Sequence, residues 1–190
     1  VIVFDFRGHG KSQGLFYWTA KEYFDLQAIL SYAQPHYPKI GVVGFSLGAA
    51  TSIITAAQDE RITSLITVSA PSEFEKIDFH FWELEAEENI LYNVIGEGRI
   101  GKGLRPGPFW SKKQRPVDLV AKINIPLLLI HGENDWLIKP WHSEVLFKAA
   151  QVSKKRLEII PQGTHAEFLF RSKKSITLKL FREWFAETLG

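Results

Sequence analysis

The sequence predicts an α/β fold, in which a mostly parallel sheet has helices on both faces. Two features of the chain point to this class. Short runs of aliphatic and β-branched residues alternate with segments of helical periodicity, and such β-α-β units build parallel sheets. The apolar runs are continuous rather than alternating, as expected for strands that are buried on both faces. A chain of 190 residues is long enough for one such domain with a small insertion.

Strands and helices follow one another in a regular order. The predicted strands are five apolar runs, at residues 1–6, 40–45, 64–69, 126–131 and 156–160. The predicted helices cover residues 20–33, a segment that ends near residue 58, residues 140–151 and the C-terminus. Thr19 and Glu22 have the spacing of a capping box before the first helix. In the last helix Ile176, Leu180 and Trp184 recur at steps of four, which predicts a buried face.

Residues 72–123 interrupt this alternation. The segment holds seven acids against one lysine between residues 73 and 88, many aromatic residues and a Gly- and Pro-rich middle. We therefore expect residues 1–71 and 124–190 to form the core and residues 72–123 to cap the carboxyl edge of the sheet, where open α/β sheets bind ligands. Residues 96–103 match a dinucleotide-binding pattern, but two prolines follow too closely for the helix that this pattern requires, so a loop is favoured.

Composition excludes several classes of function. The net charge of +2 predicts no basic surface of the kind that binds nucleic acid. The chain has no cysteine, and its six histidines lie too far apart in the sequence for a metal-binding motif, so we expect no metal site. No apolar run is long enough to span a membrane.

The segment KIGVVGFSLGAATSIITAA, residues 39–57, carries the clearest functional signal. An apolar run is followed by the pattern G-x-S-x-G, with Ser46 at its centre, and then by a helix of small residues. Gly44 and Gly48 remove Cβ atoms that would clash where a strand reverses into a helix. The turn leaves the hydroxyl at a helix N-terminus, where N–H groups stabilise negative charge. We predict that Ser46 is a nucleophile and that the N–H of Leu47 binds an oxyanion.

A nucleophilic serine needs a histidine as base and a carboxylate that orients the histidine. His165 lies in the loop after the last strand, and Asp135 lies in the loop after the preceding strand, so both loops reach the same edge of the sheet. We interpret His165 as the base and Asp135 as the acid. His131 still belongs to its strand and is interpreted as structural.

Other residues compete less well for these roles. Ser12 and Ser69 lie outside any G-x-S-x-G turn, and Asp118 precedes its nearest strand instead of following it. Arg7 and His9 lie on a loop that should border the site, and we interpret them as loop anchors.

Four motifs in this order resemble those of the α/β-hydrolase superfamily. VVGFSLGA resembles its nucleophile elbow, LLLIHGENDWLI its acid strand and PQGTHAEF its histidine loop. VIVFDFRGHGKSQG resembles the strand and turn that precede the elbow unit in esterase- and lysophospholipase-like members. The resemblance covers nearly the whole chain except the insertion, which occupies the family's cap position. It implies a triad of Ser46, Asp135 and His165, with Leu47 supplying one of two oxyanion donors.

The resemblance also implies strands that this sequence lacks. In the family, three strands precede the one that residues 1–6 resemble, and the loop after the third of them carries the second oxyanion donor. The sequence contains no methionine, so we expect that Val1 is not a translation start. We expect an upstream segment to supply these parts. Two alternatives stay open: another chain supplies them, or residues 1–6 pair directly with residues 40–45.

The family implies an esterase that acts on a small-molecule ester through an acyl-enzyme, without a cofactor. The aromatic cap favours an apolar acyl or alkyl group, and the candidate substrate-binding residues are Phe45, Trp82, Trp110 and Trp136. Hydrolysis of a thioester, lactone, peptide or carbon–carbon bond uses the same constellation and stays open. So does a non-catalytic module that binds a small apolar ligand or a protein partner.

Overall fold

A four-stranded parallel sheet lies at the centre of the computed structural model, which describes residues 1–77, 104–108 and 110–190. The described strands are β1 (Gly41–Phe45), β2 (Ser64–Val68), β3 (Leu127–Gly132) and β4 (Lys155–Ile160). They lie in chain order, and each pairs in parallel with the next. Every residue of β2 and β3 is buried, as their continuous apolar runs predict.

Helices cover both faces of the sheet, as predicted. They are α1 (Tyr23–Ala33), α2 (Leu47–Ala56), α3 (Pro116–Leu119), α4 (Trp141–Ala149), α5 (Ala166–Ser172) and α6 (Lys174–Leu189). Short 3₁₀ turns cover Phe74–Lys76 and Val120–Lys122. One core cluster joins α2 and α4 to one face of the sheet, and a second joins α5 and α6 to the other. Leu65 and Ile66 belong to different clusters because successive strand side chains point to opposite faces.

The first helix begins later than predicted, at Tyr23. Glu22 makes the bond that the capping box predicts, since its carboxylate accepts the N–H of Thr19 at 2.8 Å. It also accepts the N–H of Tyr17 at 2.6 Å. The Thr19 hydroxyl instead donates to the carbonyl of Gln114 at 2.9 Å. The threonine therefore ties the start of α1 to a distant segment instead of capping the helix.

The buried face of α6 consists of Thr177, Leu180 and Trp184. The prediction was wrong for Ile176, whose side chain is 46% exposed. Residues 177, 180 and 184 are spaced i, i+3 and i+7, which follows one helical face as well as steps of four do.

Residues 1–6 form no strand, although their sequence predicts one. Within the described ranges β1 pairs with β2 alone, and no ladder joins it to residues 1–6. Val1 and Val3 are exposed. A strand needs a hydrogen-bonded neighbour, and the described residues place none beside this segment.

Parts of the predicted insertion at residues 72–123 contact the core. Val120 and Ile123 pack in the cluster beneath α2 and α4. Residues 104–108 lie along the turn before α1, where the N–H of Phe16 donates to the carbonyl of Arg105 at 2.9 Å. Trp82 and most of the acidic block lie outside the described residues. None of the described helices is long and apolar enough to cross a membrane.

Candidate active site

Ser46 lies on a tight turn between β1 and α2. Its backbone has φ 49° and ψ −115°, a conformation that residues other than glycine rarely adopt. Its N–H donates to the carbonyl of Val68 at 2.8 Å, which ties the turn to β2. A Cβ at residue 44 would lie 2.5 Å from the carbonyl oxygen of Gly48, so Gly44 is required. The steric prediction was wrong for Gly48, where the nearest described atom to an added Cβ is 3.7 Å away, in Phe6.

His165 lies between Ser46 and Asp135. Its Nε2 is 3.0 Å from Oγ of Ser46, and its Nδ1 is 3.0 Å and 2.9 Å from the two carboxylate oxygens of Asp135. A carboxylate only accepts hydrogen bonds, so Nδ1 carries the proton and Nε2 is left to accept from the serine hydroxyl. His165 is 5% exposed and Asp135 is 2% exposed. The three side chains therefore have the arrangement of a nucleophile, a base and an orienting acid.

The carboxylate of Asp135 is buried and still ionised. Burial raises the pKa of this carboxyl, but hydrogen bonds from His131 and His165 outweigh burial and hold the pKa well below its usual range. The backbone N–H groups of Leu137 and Ile138 add donors to Oδ1 at 3.1 Å and 2.8 Å. A charged acid is thus available to stabilise the imidazolium form of His165.

His131 lies directly behind the acid at the end of β3. Its Nε2 is 2.6 Å from the carbonyl oxygen of Ile138, so this nitrogen donates, and it is 3.3 Å from Oδ2 of Asp135. Its Nδ1 accepts from the hydroxyl of Ser143 at 2.6 Å. Both ring nitrogens are used in the buried interior, which fits the interpretation of His131 as structural.

The acid loop and the histidine loop touch through their backbones. A Cβ on Gly132 would lie 2.3 Å from the carbonyl oxygen of Thr164, and a Cβ on Gly163 would lie 3.0 Å from Cα of Gly132. The N–H of Asn134 also donates to the carbonyl of Gly163 at 2.8 Å. Two glycines therefore bring the two loops close enough for their side chains to meet. The sequence analysis missed them, although each lies within three residues of a predicted site residue.

Comparison with known proteins gives the family of this chain. A family model described as alpha/beta hydrolase fold matches residues 1–94, which contain Ser46. A second model, described as serine aminopeptidase, matches residues 108–169, which contain Asp135 and His165. The chain belongs to the α/β-hydrolase superfamily. The resemblance inferred from the four motifs is thereby confirmed.

The relatives of this α/β-hydrolase are distant. It is 28% identical to protein bem46 of Schizosaccharomyces pombe over 171 residues, which cover 87% of this chain and 51% of that protein. It is 24% identical to the human serine hydrolase BPHL over an alignment of 207 residues with its gaps, which covers 87% of this chain and 62% of that protein. An esterase structure from Pyrococcus furiosus superposes with a TM-score of 0.74 at 25% identity, over 98% of this chain and 69% of that one. The chain thus spans between 51% and 62% of the length of these curated relatives.

An open cleft of about 1260 Å³ lies over the turn that carries Ser46 in this α/β-hydrolase. Most of the side chains that line it are apolar or aromatic, among them Phe6, Phe16, Trp18, Phe45, Phe170 and Phe181. Phe74, Ile77 and Leu104 of the predicted insertion line it too. The described part of the predicted insertion therefore contributes to the wall around Ser46.

The candidate substrate-binding residues have different positions. Phe45 lines the cleft. Trp136 does not; its ring lies 6.1 Å from the ring of His165 and packs beside it. Trp110 is 87% exposed and does not line the cleft, which corrects the prediction, since a side chain surrounded by solvent cannot wall a pocket. Trp82 lies outside the described residues.

The rival residues have other partners. The hydroxyl of Ser12 donates to the carbonyl of Asp5 at 2.6 Å. The side chain of Asp118 is 58% exposed and lies 3.6 Å from Arg115. Ser69 is fully buried, away from the cleft lining.

The loop at residues 7–9 has two roles. Arg7 forms an ion pair with Asp25 at 2.6 Å, as expected of a loop anchor. His9 donates through Nδ1 to the carbonyl of Arg7 at 3.0 Å, and its ring also lines the cleft. The sequence signal for this second role was the position of the loop, at the carboxyl end of an apolar run.

Within the described ranges no group of acidic, histidine or cysteine residues could hold a metal ion.

Proposed function

We propose that this chain carries a serine hydrolase site that cleaves a carboxylic ester of an apolar acyl or alkyl group. The observation that carries the proposal is the 3.0 Å contact between Nε2 of His165 and Oγ of Ser46, with Nδ1 of the same ring on Asp135. The esterase activity named for the Pyrococcus furiosus relative agrees with this chemistry.

The proposed reaction begins when Oγ of Ser46 attacks the ester carbonyl carbon while Nε2 of His165 takes the hydroxyl proton. The N–H of Leu47, in the first turn of α2, has no acceptor within the helix and binds the resulting oxyanion. His165 then gives its proton to the departing alcohol as the carbon–oxygen bond breaks. Water attacks the acyl-enzyme with His165 again as base, and the acid leaves as Ser46 regains its proton.

The lining of the cleft supports an apolar substrate group. Aromatic side chains from the turn before α1, from the elbow and from α5 and α6 surround Ser46. Burying an acyl or alkyl chain against them yields binding free energy in proportion to the apolar area removed from water. A small acetyl ester would leave much of this apolar surface exposed to water, so we expect kcat/KM to rise with the length of the acyl chain.

Labelling with a fluorophosphonate probe tests the proposal directly, because only an activated serine reacts. We expect one adduct, located on Ser46 by mass spectrometry, and none on the Ser46→Ala variant. Turnover of p-nitrophenyl esters should fall on the order of 10⁵-fold or more in that variant, since the triad acts as a unit. Ser12→Ala, at a half-buried serine that does not line the cleft, is the matched control and should label normally. An unlabelled wild-type chain would refute the proposal.

Peptide hydrolysis is a second candidate, favoured by two observations. The family model matched by residues 108–169 is described as serine aminopeptidase. Glu167 lies two residues after His165 and is, in the described part of the chain, the one acidic side chain that lines the cleft. A carboxylate there could pair with the ammonium group of a peptide N-terminus.

Matched aminoacyl esters and amides distinguish the two candidates. An esterase turns over the ester and leaves the amide, whereas an aminopeptidase cleaves both. In the second case Glu167→Gln should raise KM for the amide by at most about fivefold and leave uncharged esters unaffected, because the lost contact is an exposed ion pair.

A further inference from the structure

Ser69 has a backbone conformation that serine normally avoids. It follows β2 directly, is fully buried and has φ 53°, in the left-handed region. Its N–H donates to the carbonyl of Ile130 at 2.9 Å, so the conformation is held by the neighbouring strand. A glycine would adopt the same φ without steric cost. The presence of a side chain at this position therefore needs a reason.

The reason lies in the hydrogen bond that the side chain makes. Oγ of Ser69 accepts the N–H of Ala166 at 3.0 Å. Ala166 is the first residue of α5, it follows His165 directly, and its own φ is 38°. Two residues in strained backbone conformations are thus joined by one buried hydrogen bond, next to the proposed catalytic base.

This bond pairs one of the N–H groups that the start of α5 leaves without a partner in the helix. The first N–H groups of a helix lack partners within the helix, and the residue at the N-cap normally accepts one of them with its side chain. His165 occupies the N-cap of α5 and makes no such bond. Its two ring nitrogens face Ser46 and Asp135 instead. Ser69, which directly follows β2, supplies an acceptor for the first of these N–H groups.

We propose that Ser69 is a positioning residue for His165. Its hydroxyl fixes the first peptide of α5 and thereby the direction in which the imidazole leaves that helix toward Ser46. The inference rests on the proposed hydrolase activity, because positioning has a measurable effect only if His165 is the base. It gives a different role to a serine that the sequence analysis considered as a rival nucleophile.

Two substitutions separate the hydroxyl from the backbone conformation. Ser69→Ala removes the acceptor and keeps a Cβ at positive φ, whereas Ser69→Gly removes the acceptor and relieves the strain. We expect both to lower kcat for a p-nitrophenyl ester, and the rate of fluorophosphonate labelling, by about tenfold to a hundredfold, with KM unchanged. Ser64→Ala is the control: this serine lies on β2, which Ser69 follows, and is equally buried, but its hydroxyl is bonded to Thr188, 2.8 Å away. It should leave kcat as in wild type.

The outcomes are distinct when all assays run well below each variant's melting temperature. If the wild-type chain is not labelled, the proposed hydrolase and this inference both fail. If the wild type is labelled and Ser69→Ala keeps its kcat, only the inference fails. A Ser69→Gly variant with wild-type kcat, beside an impaired Ser69→Ala, would show that strain and not the acceptor matters, and would overturn the inference as well.

Discussion

The carboxylate of Asp135 is surrounded by donors from three parts of the chain. Nδ1 of His165 reaches it from the loop after β4, Nε2 of His131 from β3, and the N–H of Ile138 from its own loop. A buried carboxylate keeps its charge only when such donors replace water. The same contacts hold the side chain in place, so the charge and the orientation of the acid have one physical origin.

Replacing that acid should impair the reaction far more than replacing its rival. In Asp135→Asn the amide no longer offers an ionised acceptor to Nδ1–H, and the imidazole loses both its tautomer and its charge partner. We expect kcat to fall by about 10⁴-fold, as in other triads. Asp118→Asn removes an exposed ion pair with Arg115 and should change kcat little. Steady-state kinetics on one ester decides the matter, and a larger loss in Asp118→Asn would mean that the acid is misassigned.

His131 should matter for stability. In His131→Leu the hydroxyl of Ser143 and the carbonyl of Ile138 lose a buried partner, and each unpaired group costs about 1–3 kcal/mol. Ser143→Ala is the matched variant, since it leaves only Nδ1 of His131 unpaired and should cost less. Urea unfolding of the two variants gives both free energies. Equal stabilities would contradict the view that His131 links two groups in the core.

At the scale of elements, local pattern was sufficient for most of the sheet and helices. The strands β1 to β4 and the helices α2 and α4 lie where apolar runs and helical periodicity predict them, within a few residues. The contact among Ser46, Asp135 and His165 was also predictable from sequence, because each follows a predicted strand and parallel strands present their carboxyl ends at one edge.

The wrong predictions concern features that depend on contacts between distant segments, which no local sequence pattern contains. Residues 1–6 have the composition of a strand but lack a neighbour in the described residues to pair with. Thr19 has the spacing of a cap, yet its hydroxyl bonds to residue 114, which is distant in the chain. Trp110 is apolar but 87% exposed, and apolarity alone does not tell which surface a side chain faces. In each case the observed structure depends on whether another segment of the chain packs against the residue.

The contact between the acid loop and the histidine loop leads to a prediction about glycine. A Cβ on Gly163 would lie 2.5 Å from the side chain of Leu169 and 3.0 Å from Cα of Gly132, so Gly163→Ala must push the histidine loop away from β3. We expect kcat to fall about a hundredfold or more, as His165 moves relative to Ser46, and stability to fall by about 1–3 kcal/mol.

Gly48→Ala is the contrasting variant for stability. No described atom lies within 3.4 Å of an added Cβ there, and alanine favours a helix over glycine. Thermal unfolding should show this variant as stable as the wild type or more so. If Gly163→Ala were equally stable, the backbone contact between the two loops would not be tight.

At the scale of the whole molecule, one buried histidine joins α4 to Ser72, at the start of the predicted insertion. Nδ1 of His142 accepts the N–H of Ser72 at 3.1 Å and lies 2.8 Å from its hydroxyl. The carbonyl of Ser72 accepts the N–H of Val117 at 3.0 Å. A proton added to Nδ1 would abolish the acceptor on which this junction depends.

The junction makes stability depend on pH in a defined direction. Burial, together with nearby His131, lowers the pKa of His142 to about 4, against about 6.5 in an unfolded chain. Between these values the unfolded state binds a proton that the native state excludes, so stability falls as pH drops from about 6.5 to about 4. Below about pH 3.9 the lowered pKa of Asp135 adds a further loss of stability, because the unfolded state again binds the proton first.

Urea midpoints measured at constant ionic strength should show both losses in the wild type. In His142→Asn, whose amide oxygen can still accept from Ser72, the loss between pH 6.5 and 4 should shrink while the loss below 3.9 remains. An identical pH dependence in both proteins would show that His142 does not set the upper transition.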